Sequence, residues 1–200
     1  DVNSYIEDYT IFDKYLIRSW DFANTLPSEK NANPDWTVGV LMGAKISQSK
    51  DDPYEVAVLD VARDRRRFEG VKQFVLDVAS RDGKGVTISL PLDPGGASHF
   101  TRQLSASLTQ AGYKVVLARP KGSKVDRFAL FSQLSEAGYV YADTKESLGT
   151  NVTLLSCVAL MAQEMSRMIK WMPLRMPTYS LVAKSNSQLL YEAAVVLSSV

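Results

Sequence analysis

Cysteine and histidine are nearly absent from this 200-residue sequence, which contains one of each, Cys157 and His99. One cysteine cannot form an internal disulfide framework, and its presence fits a reducing compartment. One histidine cannot build a metal site from several imidazoles, and the sequence has no HExxH or CxxC motif. A bound metal would therefore need mostly oxygen ligands, which Mg²⁺ and Mn²⁺ prefer.

The sequence also lacks long apolar runs, a Walker-type phosphate loop and a large excess of one charge. The longest apolar stretch, around residues 152–162, is too short to cross a bilayer, and the polar, acidic start is not typical of a signal peptide. The formal net charge of +1 excludes a strongly basic nucleic-acid-binding tail but not a local basic face. Apolar residues make up 46% of the sequence, enough for the core of one domain, which we predict over residues 1–200. Because no apolar stretch is long enough to span a bilayer, we predict no membrane partner.

Hydrophobic patterning predicts three strands followed by alternating helices and strands. Short apolar runs separated by turn residues predict strands over 15–23, 36–46 and 54–64, and the short loops favour an antiparallel meander. Further runs predict helices over 71–80, 98–111 and 123–138 and strands over 85–93, 113–119 and 139–143. Residues 1–15 have no clear period, and the pattern weakens again over 145–200.

This order predicts an α/β fold, with a mixed sheet (an antiparallel meander, then parallel strands) and helices on both faces. It is the ribonuclease H-like order, in which the first and fourth strands are neighbours. Asp21 lies near the end of the first predicted strand, and Asp93 ends the fourth. We therefore expect the two carboxylates to lie together and to hold divalent metal. Taken alone, Asp21 fits a loop cap equally well, and Asp93 fits an ordinary turn residue.

Four segments carry a family resemblance. They are RSWDFANTLPSEKNANPDWTVGVLMG, VAVLDVARDRRRFEGVKQFV, LPLDPGGAS and VVLARPKGSKVDRFALFSQLSEAGYVY, and they span about residues 15–142. In this order they resemble the C-terminal nuclease domain of the large terminase subunit of tailed bacteriophages. In that family a ribonuclease H-like fold follows an ATPase motor domain. Residues 1–15 would then be a connector from an ATPase domain, whose motifs this sequence lacks, and 145–200 a divergent C-terminal part.

The resemblance implies a metal-dependent endonuclease that cuts concatemeric viral double-stranded DNA during genome packaging, with two Mg²⁺ or Mn²⁺ ions held by three acids. Asp21 matches the first-strand acid and Asp93 the fourth-strand acid, so both are the implied catalytic residues and metal ligands. The implied partners are the ATPase domain of the same subunit, the small terminase subunit and the portal. The implied location is the host-cell cytoplasm, with the domain absent from the mature virion.

The third acid of the family pattern is not matched. It is expected near the start of the last helix, where Ser187 and Gln188 stand in the stretch NSQLLYEAA. Glu192 follows Gln188 by one helical turn, on about the same helix face, and is the first substitute as third metal ligand. Asp143 and Glu146 are the next candidates.

Basic residues form two candidate DNA-binding groups. A run of this kind is usually a solvated face, but beside a nuclease site it would grip a DNA backbone, because positioning contacts go mainly to phosphates. The first group, within ARDRRRF, is Arg65, Arg66 and Arg67, preceded by Arg63. The second group follows the fifth predicted strand and is Lys121, Lys124 and Arg127.

Asp60 and His99 each have two interpretations. Asp60 lies in the middle of a predicted strand, and we expect it on an exposed face of that strand rather than at the metal site. His99 follows the glycine pair, and we expect it to be an ordinary residue of the first helical turn rather than a group that transfers a proton.

Two other function classes stay open. The mismatch at Ser187 and Gln188 leaves a DNA-gripping or motor- and portal-docking module, with a degenerate metal site, as the alternative. A cellular ribonuclease H-like resolvase is the third class, and the segment SKVDRFALFSQLSEAG argues against it by resemblance.

Overall fold

Six strands and two helices make up the described part of the structure, a computed structural model that describes residues 12, 15–23, 35–45, 55–92, 97–119 and 137–142. In chain order they are β1 (Tyr15–Asp21), β2 (Thr37–Lys45), β3 (Glu55–Asp64), α1 (Phe68–Asp82), β4 (Thr87–Pro91), α2 (Ala97–Gln110), β5 (Lys114–Ala118) and β6 (Val140–Ala142).

One mixed sheet contains these six strands in the order β5-β4-β1-β2-β3-β6. The pairs β1–β2 and β2–β3 are antiparallel, whereas β1–β4, β4–β5 and β3–β6 are parallel. The predicted meander followed by parallel strands is confirmed, and so is the neighbour relation between the first and fourth strands. Of these six strands only β2 runs in the opposite direction, so the other five terminate at one end of the sheet, here called the carboxyl end.

Both described helices pack on one face of the sheet, here called the helix face. Trp20 of β1 and Leu90 of β4 are buried there against Val75 of α1 and Leu104 of α2, within one apolar cluster. Burying each large apolar side chain contributes about 1.5–3 kcal/mol, so this layer fixes both helices on the sheet.

The opposite face of the sheet, here called the second face, is also buried. Val38, Val40 and Met42 point to it from β2 and are fully inaccessible to solvent. A buried face is a covered face, but both described helices lie on the helix face, so the helices predicted for the second face stay a prediction. The helix predicted over 123–138 lies outside the described residues apart from its last two. Within the described ranges, neither helix is long and apolar enough to cross a membrane.

Helix α1 is longer than its sequence pattern predicted. The apolar spacing placed it over 71–80, whereas it begins at Phe68 and ends at Asp82. Glu69 lies in the first turn, where a negative charge is favourable because of the helix dipole. Gly83 has φ +83° and donates its N–H to the Ala79 carbonyl at 3.0 Å. Glycine adopts this left-handed conformation without the strain of a side chain, so the helix ends there.

A buried arginine connects the sheet to the end of α1. Arg18 of β1 is 1% exposed, and its Nε and Nη2 donate to the two carboxylate oxygens of Asp82 at 2.7 and 2.8 Å. Its Nη1 donates to the Gly39 carbonyl of β2 at 3.0 Å and lies 2.7 Å from Asp60 Oδ2 of β3. Arg81 Nη2 also donates to Asp60 Oδ2, at 2.7 Å. One guanidinium therefore holds three strands and a helix.

We expect Arg18→Ala to lower the free energy of unfolding by about 3–5 kcal/mol, because it leaves the 5%-exposed Asp82 charged and buried without its main partner. Urea denaturation measures this loss. Lys45→Ala is the matched control, since the Lys45–Glu55 pair is 43% and 23% exposed and should contribute less than about 1 kcal/mol. Equal losses in the two variants would contradict this assignment.

Candidate functional site

Asp21 is the last residue of β1 and is exposed at the carboxyl end of the sheet. It lies directly opposite Val38 of β2, so its side chain belongs to the second face. Its neighbour Trp20 points the other way and is buried on the helix face. Strand alternation thus explains how a carboxylate reaches solvent next to one of the largest buried side chains.

The β1–β4 register places the end of β4 beside Asp21. The parallel pairs run from Ile17–Thr87 to Ser19–Ser89, and the same register extended by two residues would set Asp21 beside Pro91. β4 ends at Pro91, and the Leu92 N–H donates to the Ala118 carbonyl of β5 at 2.7 Å. Asp93 follows in sequence but lies outside the described residues. The neighbouring strand ends are therefore confirmed, whereas the pairing of Asp21 with Asp93 stays a prediction.

The backbone on both sides of Asp21 is held in place. The Thr37 hydroxyl accepts from the Ala23 N–H at 3.1 Å and donates to the Ala23 carbonyl at 3.0 Å. Phe22 stacks on Trp20 at 6.2 Å and meets Phe100 of α2 edge-to-face at 5.5 Å. These contacts fix the residues before and after the carboxylate and leave its side chain at the surface.

Gly39 makes room for the ring that anchors this strand end. It lies opposite Trp20 in the β1–β2 pair, and a Cβ atom at this position would be 2.8 Å from the indole. Real Cβ atoms do not approach a ring that closely, so the indole can lie across β2 only over a glycine.

Asp60 and Asp21 lie on opposite faces of the sheet. Asp60 is opposite Leu41, three residues along β2 from the partner of Asp21. Its carboxylate binds Arg18 and Arg81, so the part of the sheet seen here does not bring it to the metal candidates. His99 lies in the first turn of α2 and is exposed, as the simpler of its two interpretations predicted.

The arginine run is found at the carboxyl end of β3, with individual contacts that the sequence did not reveal. Arg65 lies with its Cζ 4.0 Å from the ring centroid of Trp36, which precedes β2. Arg66 forms an ion pair with Asp64 at 2.6 Å, and Arg67 is exposed. The other candidates for DNA contact, Lys121, Lys124 and Arg127, lie outside the described residues.

Carboxylates fit the divalent cation that the sequence predicts. Asp21 offers two oxygens at an exposed strand end, and Asp93 follows the neighbouring strand by two residues. Mg²⁺ prefers one or two carboxylates and keeps several waters. Within the described residues, no three histidine, cysteine, aspartate or glutamate side chains form a group that would hold a metal. Glu192, Asp143 and Glu146, the candidates for the third ligand, all lie outside that part of the chain.

Two solved viral proteins have a similar fold. The fowlpox virus Holliday junction resolvase is 14% identical, with a TM-score of 0.50, over 78% of this chain and 99% of that one. The human cytomegalovirus terminase nuclease domain, soaked with Mn and bound to an inhibitor, is 11% identical, with a TM-score of 0.50, over 84% of this chain and 87% of that one. At these identities the likeness shows the ribonuclease H-like fold alone.

A sequence profile decides the family. The profile of the terminase RNase H-like domain matches residues 18–158, more than half of the chain. The chain belongs to the terminase RNase H-like domain family. No curated protein matches it significantly. The matched part of this terminase domain includes Asp21, Asp93 and the arginine run, whereas Glu192 lies beyond its end.

Two residues near the site of the terminase domain were missed from sequence, Trp36 and Thr37. Both stand in the stretch DWTV, where they look like ordinary β-formers. Only the pairing of β2 with β1 and β3 shows that Thr37 reaches Ala23 and that Trp36 reaches Arg65. For Trp36 the alternation of strand residues was a usable signal, because it predicts the same face for Trp36 and Val38.

We expect Thr37→Val to speed amide hydrogen exchange at Ala23 and to lower the free energy of unfolding by about 1–3 kcal/mol. Valine keeps the shape of threonine but leaves the Ala23 N–H and carbonyl without the buried hydroxyl. Hydrogen exchange followed by NMR measures the first effect and urea denaturation the second. Thr37→Ser keeps the hydroxyl and should retain most of the protection. Unchanged exchange at Ala23 in Thr37→Val would show that this clamp is not needed.

Proposed function

We propose that this terminase domain is a divalent-metal-dependent endonuclease that cuts concatemeric viral double-stranded DNA during genome packaging. The observation that carries the proposal is the exposed carboxylate of Asp21 at the end of β1, beside the end of β4, in a chain of this family. The proposed virus is a tailed bacteriophage, and the proposed location is the host-cell cytoplasm.

Asp21 and Asp93 would hold the metal in this proposal, with Glu192 as third ligand and two Mg²⁺ or Mn²⁺ ions in all. Such ions supply a nucleophile from water at neutral pH and stabilise the leaving oxygen of a phosphodiester. Asp21 is suited to this task because its backbone is clamped on both sides while its carboxylate stays exposed. A ligand fixed in advance loses little conformational entropy when the cation binds.

DNA contact and assembly are further parts of the proposal. Arg65, Arg66 and Arg67, together with Lys121, Lys124 and Arg127, would contact the phosphate backbone of duplex DNA. Residues 1–200 would act as one nuclease domain joined to an ATPase domain of the same subunit. The small terminase subunit and the portal would be its partners in the packaging machinery.

A DNA-gripping or docking module with a degenerate metal site is the second candidate function. Ser187 and Gln188 favour it, because neither side chain is the acid that the family pattern has at these positions. The two candidates differ in one measurable property, cleavage.

We expect the 200-residue chain to nick or linearise supercoiled plasmid with Mn²⁺ or Mg²⁺, and to leave it intact in EDTA. The reason is that carboxylates alone do not activate water at neutral pH, whereas divalent cations do. Agarose gel electrophoresis of the plasmid forms measures the result. Robust cleavage in the chelator would reject the metal mechanism, and no cleavage with any divalent cation would favour the docking module.

We expect Asp21→Asn and Asp93→Asn each to reduce cleavage by at least about a hundredfold, because even residues that only support a metal ligand often cost 10–100-fold when changed. Melting temperatures should hold or rise slightly, because removal of one of two neighbouring carboxylates relieves repulsion.

Asp77→Asn is the matched control for these two variants, since Asp77 is an exposed acid on α1 whose carboxylate accepts from Gln73 of the same helix. It should cut like the parent. A variant at position 21 or 93 that also cut at the parental rate would remove that residue from the ligand set.

A further inference from the structure

Strand alternation divides the arginine run between the two faces of the sheet. Arg63 lies opposite Val38, which is buried on the second face, and Arg65 is two residues further along the chain. Arg66 has the other parity, and its guanidinium binds Asp64 and lies 5.4 Å from the ring of Phe74 on α1. Arg63 and Arg65 therefore share the face of Asp21, whereas Arg66 belongs to the helix face.

One indole orders the two arginines of the second face. The Cζ atom of Arg63 is 5.0 Å from the centroid of the Trp36 ring, and that of Arg65 is 4.0 Å away. A guanidinium stacks on an aromatic ring through its flat face, and its N–H donors lie in the plane of the group. Both guanidiniums thus contact one half-buried ring, which limits the positions that each can take.

This pair stands beside the candidate metal centre. Asp21, Val38 and Arg63 lie in one row across β1, β2 and β3 at the carboxyl end of the sheet. Two strand spacings separate the backbones of Asp21 and Arg63, which is roughly 10 Å. A phosphate chain held through a cation at Asp21, and running along this row, would lie within reach of the arginine side chains.

We propose that Trp36, Arg63 and Arg65 form a phosphate-binding site for the backbone of duplex DNA, with Trp36 as a positioning residue. The choice of DNA as ligand rests on the proposed nuclease function, whereas the site itself rests on the stacked guanidiniums. Guanidinium groups bind phosphate oxygens through paired N–H donors, and such contacts carry no base identity. The site would hold the strand near Asp21 whatever its sequence.

The first test compares two double variants of the 200-residue chain by duplex DNA affinity at several salt concentrations, in EDTA. Arg63→Ala with Arg65→Ala should reduce the slope of log affinity against log salt by up to about 1.8, from about 0.9 per lost phosphate contact. Lys84→Ala with Lys114→Ala removes the same charge from the opposite end of the sheet and should leave the slope unchanged. An equal slope in both double variants would overturn the site.

The second test separates positioning from charge. Trp36→Leu removes no charge, yet it should weaken duplex binding about 2- to 30-fold, because the guanidiniums lose their stacking surface. Trp36→Phe keeps an aromatic face and should restore most of the affinity. Full affinity in Trp36→Leu would overturn the positioning role. Thermal melting checks that each variant folds. If the double variant does not fold, Arg65→Gln alone replaces it, with an expected slope loss of about 0.9.

Cleavage assays on the same proteins distinguish this proposal from the proposed function. If the parent chain cuts plasmid and the Arg63 and Arg65 variants keep the parental salt slope, the domain is a nuclease without this phosphate site. A parent chain that never cuts, but loses slope in those variants, has the phosphate site without the nuclease.

Discussion

The Arg18 guanidinium is the interaction on which the arrangement of the described sheet depends. It is buried in the middle of β1 and binds groups from β2, β3 and the last turn of α1. Asp82 ends α1 with a negative charge, which the helix dipole disfavours at a C-terminus, and the paired Arg18 offsets this cost. An isolated buried charge is very unfavourable, so the three strands and the helix keep their relative positions as long as the pair is intact.

The direction of the strands explains why the candidate site residues lie at one end of the sheet. β1, β3 and β4 all terminate there, and each supplies or precedes a polar group of the candidate site: Asp21, the arginine run and Asp93. Alternation along each strand then sorts neighbours by face. Arg18 and Asp60 form ion pairs on the helix face, while Asp21 and Arg63 share the second face. The charges that hold the fold and those of the candidate site thus lie close in sequence but on opposite faces of the sheet.

Much of this was predictable from sequence, because the fold follows from hydrophobic periodicity. The strands, their order along the chain and the adjacency of β1 and β4 were all predicted, and the family was identified from four segments. Element ends were less accurate: α1 extends beyond its apolar spacing to Asp82, and β1 stops at Asp21.

The individual contacts were not predictable, since they join residues distant in the chain. The bond between Thr37 and Ala23, the stacking of Arg65 on Trp36 and the Arg18–Asp82 pair each depend on strand register or helix length, which local sequence does not encode. Asp93, Glu192 and the second basic group lie outside the described residues, so their roles stay predictions.

The opposite end of the sheet contains the turns before β4 and β5, which are short and partly exposed. Gly83 and Gly85 have open space around the position of a Cβ atom, and the short turns at 83–86 and 111–113 expose Lys84, Gly85, Ala111 and Gly112. Exposed loop tips of this kind tolerate insertions and attached groups. A fluorophore or affinity tag joined to the chain at Gly85 would therefore sit a full strand length from Asp21, so that the domain can be followed or immobilised while the carboxyl end of the sheet stays uncovered.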